Sequence, residues 1–100
     1  MRNMQFKLIA NDGGHASQST LMTFDDSTKP FKATYTGPNV KFGHVIVEGD
    51  QMLYHALDSQ GNLSAGAAAV TLTDTHMILA WRWLTGDLSK GESRWQRVDS

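Results

Sequence analysis

The stretch His76-Met77-Ile78-Leu79-Ala80-Trp81-Arg82-Trp83-Leu84 decides the fold. Read with period two, Met77, Leu79, Trp81 and Trp83 fall on one face, and Ile78, Ala80, Arg82 and Leu84 on the other. Both faces are largely apolar, which suits a strand covered on both sides or one wall of a barrel. Read with helical period, the run leaves no clean polar stripe, and it is short for a helix.

Turn chemistry brackets this run and recurs along the chain. Gly, Asn, Asp and Pro gather at Asn11–Gly14, Asp25–Pro30, Gly37–Asn39, Glu48–Asp50, Asp58–Asn62, Thr73–Thr75 and Gly86–Gly91. Such residues supply positive φ, a fixed φ or the local side-chain bonds that turns need. Seven breaks leave eight segments: 4–10, 17–24, 31–36, 40–47, 51–57, 63–72, 76–84 and 92–98. Their spacing is that of an all-β sandwich or barrel.

Alternation then assigns faces. Met4, Phe6, Leu8 and Ala10 share one side of the first segment, and Phe31, Ala33 and Tyr35 point inward from the third. The fourth begins with Val40, Phe42 and His44 on its apolar side, and Gly43 marks a bulge or bend. In the fifth, Met52, Tyr54 and Ala56 oppose Leu53, His55 and Leu57. The alanines of 65–69 would suit a helix, but the flanking strands and the ending Val70-Thr71-Leu72 favour a strand. Short links between strands require antiparallel neighbours. The expected fold is therefore all-β: a single antiparallel up-and-down β-barrel of about eight strands, one domain over residues 1–100. Its interior is either filled by side chains or holds one small ligand.

Composition narrows the function classes. Nine basic and ten acidic residues give a formal charge of −1, which disfavours a nucleic-acid binder. There is no cysteine, so disulfides and thiolate metal sites are excluded. The N-terminal residues carry no apolar core of signal-peptide length, and no run reaches the length of a membrane-spanning helix. A cytoplasmic protein with no membrane partner is expected.

The segments Ser19-Thr20-Leu21-Met22-Thr23-Phe24-Asp25, Phe31-Lys32-Ala33-Thr34-Tyr35-Thr36-Gly37, Asp58-Ser59-Gln60-Gly61 and Gly91-Glu92-Ser93-Arg94-Trp95-Gln96-Arg97-Val98 are similar in order and spacing to calycin-type barrels. These are the lipocalin-like, fatty-acid-binding-like and nitrobindin-like proteins. The resemblance spans most of the chain and rests on strand rhythm and an acidic-turn-basic ending. The Gly-x-Trp signature of true lipocalins near the first strand is missing. The resemblance implies a barrel that holds an apolar small molecule. In a nitrobindin-like barrel one histidine holds haem, which would make His44 or His55 a proximal ligand. No His-x-His or His-Glu pair supports this among His15, His44, His55 and His76, so no cofactor and no metal are expected.

Three groupings can carry function. Phe42, His44, Tyr54, Trp81 and Trp83 are the candidate lining of a ligand pocket, with Arg82 or Arg94 as a polar anchor able to clamp a carboxylate. His44, Tyr54 and His55 are candidate acid–base groups for a small isomerase or cyclase, provided they converge. The Ala65–Ala69 tract leaves room for a cavity, for bulky Trp81 and Trp83 on the neighbouring strand, or for a second subunit. The leading expectation is a small-molecule binding protein with an apolar ligand inside the barrel. The alternatives are a small acid–base enzyme and a protein-interaction module, such as a homodimer, without ligand.

Overall fold

The computed structural model describes residues 4–12, 20–25, 27, 31–38, 40–86 and 88–98. They form β1 (Gln5–Asp12), β2 (Leu21–Asp25), β3 (Phe31–Gly37), β4 (Val40–Glu48), β5 (Gln51–Asp58), β6 (Leu63–Leu72), β7 (His76–Trp83) and β8 (Lys90–Arg97). Each strand pairs antiparallel with the next, and β8 returns to pair with β1, closing the barrel. Closure gives every strand a partner on both sides, with β1 and β2 paired over Gln5–Lys7. The alanine-rich segment is a strand, and the eight turn-bounded segments match the eight strands to within a few residues. Residues 17–19 of the second segment and part of the Asp25–Pro30 break lie outside the described residues.

The turns follow from their side chains. β4 and β5 meet through Gly49-Asp50, with Glu48 opposite Gln51 and Gly49 at φ 63. Positive φ at the first central residue is the pattern of a type II′ hairpin, which glycine adopts without steric cost. Between β5 and β6, Asp58 Oδ1 accepts the backbone N–H of Gln60 (2.9 Å) and of Asn62 (2.8 Å). These bonds, led by that from Asn62, hold the Asp58 carboxyl below its ordinary value.

One half of the interior is packed solid. Phe6, Phe24, Met52, Met77 and Val45 are each under 2% exposed, and Leu8, Met22, Val47, Leu79 and Trp95 join them in a cluster with Met4, Ala33 and Ala68. Phe6 meets Phe24 edge-on with ring centres 5.9 Å apart. Full burial of such side chains stabilises the fold by about 1.5–3 kcal/mol each.

Two bulges re-aim side chains. On β1 the register against β8 shifts between Leu8 and Ala10, so Ala10 is exposed and Asn11 turns inward. The expectation that Ala10 continues the inward series is corrected there. On β4 an extra residue lies between Val40 and Phe42 relative to β5, and beyond it Gly43, Val45 and Val47 face in. Phe42 and His44 therefore stand on the outer surface, which corrects their assignment to the inner apolar side.

Candidate functional site

At the end of the barrel opposite the solid core, three aromatic rings project inward from alternate strands. Tyr35 on β3 stands directly across from Gly43 on β4, Tyr54 on β5 from Gly66 on β6, and Trp81 on β7 from Gly91 on β8. A Cβ at Gly43 would lie 2.3 Å from the Tyr35 ring, and one at Gly66 2.6 Å from the Tyr54 ring. At Gly91 it would lie 2.7 Å from the Trp81 ring. Each ring thus lies against the bare backbone of the next strand, where an added Cβ would collide with it, and at Gly66 and Gly91 also with a backbone carbonyl, of Arg82 and of Asp12.

Two of the rings reach a strand two places away. The Tyr54 hydroxyl donates to the Arg82 carbonyl on β7 at 2.8 Å. Trp81 Nε1 donates to Asn11 Oδ1 on β1 at 2.8 Å. Tyr54 also meets Trp83 edge-on with centres 4.9 Å apart, a favoured aromatic geometry. Below this layer, Ser93 is buried and accepts a hydrogen bond from Trp95 Nε1 at 2.9 Å. Tyr35, Tyr54, Trp81 and Trp83 point into the barrel and yet are only partly buried. Tyr35, Tyr54 and Trp81 pack against the core cluster and keep part of their surface accessible at this end of the barrel.

The electrostatics of the mouth favour donors over bases. Burial pushes the Tyr54 phenol up to about 12. Burial, and then the neighbouring Tyr54, raise Tyr35 further still. Both hydroxyls stay protonated at neutral pH. The rings offer apolar surface to a ligand body, while the Tyr54 hydroxyl proton and the Trp81 indole N–H are held by the Arg82 carbonyl and by Asn11.

The residues expected to line a pocket divide between two surfaces. Tyr54, Trp81 and Trp83 are on the inner face. Phe42, His44, Arg82 and Arg94 are exposed on the outer face, with Arg82 across from Ala67 and Lys90 and Arg94 across from Ile78. Alternation forces this: with Trp81 and Trp83 inward, Arg82 between them points out, and Arg94 precedes inward Trp95. Neither arginine is an anchor inside the barrel. The acid–base grouping also separates, since Tyr54 faces in while His44 and His55 face out. His15 lies outside the described residues. Asn11 and Tyr35 were not in the expected set; the readable signal for Tyr35 was Gly43 inside the neighbouring strand, and Asn11, across from Ser93 beyond a bulge, had none.

A groove of about 650 Å³ runs across the outer face of β2–β5, along Thr23, Asp25, Lys32, Thr34, His44, Ile46 and His55. It is open and lies on the other side of the barrel wall from the aromatic mouth. Among the described residues, no group of three His, Cys, Asp or Glu gathers to hold a metal, and no helix is long and apolar enough to cross a membrane.

A closed, eight-stranded antiparallel barrel with an aromatic mouth defines a calycin-type protein. Residues 1–98 match the family model described as avidin-like protein, and the chain belongs to that family. The calycin resemblance therefore holds at the level of the fold, in a family of barrels that bind small ligands. Comparison with curated proteins and with solved structures finds no match.

Proposed function

We propose that this chain is a small-molecule binding protein that takes its ligand at the barrel mouth, between Tyr35, Tyr54, Trp81 and Trp83, with Asn11 at its polar edge. The observation that carries this reading is the layer of three rings, each lying on a glycine of the adjacent strand. Glycine at a strand interior is costly for the sheet, so three of them under three partly exposed rings signify a shaped surface. The ligand is compact, with an apolar body and a hydrogen-bonding head. Ring burial of that body contributes about 25 cal/mol per Å² removed from water, and the polar groups set its orientation. Membership in the avidin-like family makes biotin the first probe. A homodimer is the assembly that goes with this reading, because members of the family often form oligomers and Leu53 and Leu63 are exposed on the outer face.

The test is a titration of the purified chain with biotin, followed by calorimetry and tryptophan fluorescence. Saturable binding at one site per chain, weakened at least ten-fold in Trp83→Ala with the fold retained, supports the reading. Absence of binding, together with a native mass spectrum free of any co-purified small molecule, rejects it. The same spectrum counts subunits, and a monomer mass rejects the homodimer.

A further inference from the structure

On the outer surface, His44 on β4 stands directly across from His55 on β5. Both side chains are exposed, and their ring centres are 5.2 Å apart. Phe42 lies against both, at 5.2 Å from His44 and 6.0 Å from His55. Ile46 and Leu53, paired across the same two strands, flank the histidines on the other side. Among the described residues, no hydrogen bond takes up either imidazole. By contrast, the Nδ1 of His76 is occupied by Thr75 Oγ1 at 2.8 Å.

We propose that His44 and His55 form a two-imidazole site for a divalent transition-metal ion on the outer wall of the barrel. This inference is independent of ligand binding at the mouth. Three physical points support it. With metal–nitrogen bonds of about 2.0–2.1 Å and tetrahedral angles, two imidazoles on one ion have ring centres about 5 Å apart. That is the separation at which the β4–β5 register holds these rings. The backbone pairing fixes both side chains on one face, so chelation orders little beyond the ring torsions. On β4 and β5 the side chains flanking the two rings, Phe42, Ile46, Leu53 and Leu57, are apolar, and Thr34, Lys32 and Asp25 of the same outer groove come from β3 and β2. Imidazole suits Zn²⁺, Ni²⁺ and Cu²⁺, whereas Mg²⁺ and Ca²⁺ require oxygen ligands. Two coordination positions are left for water or for an incoming group.

The experiment is calorimetric titration of the full chain with ZnCl₂ in a non-chelating buffer. MgCl₂ serves as the control ion, and melting curves check the fold of every variant. The expected result is saturable Zn²⁺ binding, weakened at least ten-fold in His44→Ala and to the same degree in His55→Ala. His76→Ala and His15→Ala should bind as the parent does. The more conservative His44→Gln and His55→Asn repeat the measurement should an alanine variant lose its fold. Zn²⁺ binding that survives either single substitution, or that Mg²⁺ reproduces, overturns the proposal, and so does absence of Zn²⁺ binding to the parent chain.

Discussion

Replacing Gly66 by alanine probes the barrel mouth most directly. The added Cβ would lie 2.3 Å from the Arg82 carbonyl oxygen and 2.6 Å from Cε2 of Tyr54. The carbonyl belongs to the paired backbone of β7, so the β6–β7 pairing and the ring must both give way. Moving the ring breaks the 2.8 Å bond from the Tyr54 hydroxyl to that same carbonyl and disturbs the edge contact with Trp83. Overpacking of a fitted site costs about 1–3 kcal/mol. Loss of the hydrogen bond adds about 1 kcal/mol. The sum is about 2–4 kcal/mol, which for a domain of this size lowers the melting temperature by about 10–25 °C. Urea unfolding and calorimetry of Gly66→Ala supply the number, and near-ultraviolet circular dichroism reports the displaced Tyr54–Trp83 pair. The double variant Tyr54→Ala/Gly66→Ala removes the ring that the methyl displaces, so the two changes should couple by at least about 1 kcal/mol. A Gly66→Ala protein that melts within about 3 °C of the parent, or a coupling near zero, would refute the claim that ring and glycine form one fitted unit.

Other expectations are simpler to test. Phe6→Ala should cost about 3–5 kcal/mol in urea unfolding, because Phe6 is fully buried against Phe24 and leaves a cavity; a loss below about 1 kcal/mol would contradict the packed half-barrel. The Asp58 carboxyl is lowered by its turn hydrogen bonds, so its contribution is present above its unfolded value of 3.8 and is lost as pH falls through the folded value. The difference in melting temperature between the parent and Asp58→Ala should therefore shrink in acid. Tyr54 shows the opposite sign: with its pKa raised from 10.0 to about 12, its contribution is complete below pH 10 and disappears as pH rises toward 12. A phenolate absorbance titration should lose this late step in Tyr54→Phe, and a Tyr54 that ionises near 10 would contradict its burial.

The barrel was legible because its signals are local. Gly49-Asp50, Asp58–Asn62 and Gly86 mark turns by their backbone needs, and Met77-Ile78-Leu79 carries the strand period. The site was less legible because alternation gives a face only until a bulge intervenes. The extra residue between Val40 and Phe42 moves Phe42 and His44 to the outside, and the shift after Leu8 turns Asn11 in. Tyr54, Trp81 and Trp83 share a face with deeply buried neighbours on unbroken strands, so their direction could be read. The arginines misled for a chemical reason: Arg82 and Arg94 suit a carboxylate clamp, yet each alternates with an inward tryptophan and must face water.

The indole bond between Trp81 and Asn11 also has a consequence in time. It joins residues 70 apart in the chain, whereas Tyr54 and Arg82 are 28 apart. Contacts that close long loops are the slowest to be rewarded during folding. Tyr35, eight positions before Gly43, needs only a hairpin, and Tyr54 needs three strands. The Trp81 ring meets Gly91 within the β7–β8 hairpin, but its bond to Asn11 must await the docking of the first strand against the last. Loop-closure cost therefore favours forming the Trp81–Asn11 bond last, the contact at which an open, curled sheet becomes a vessel.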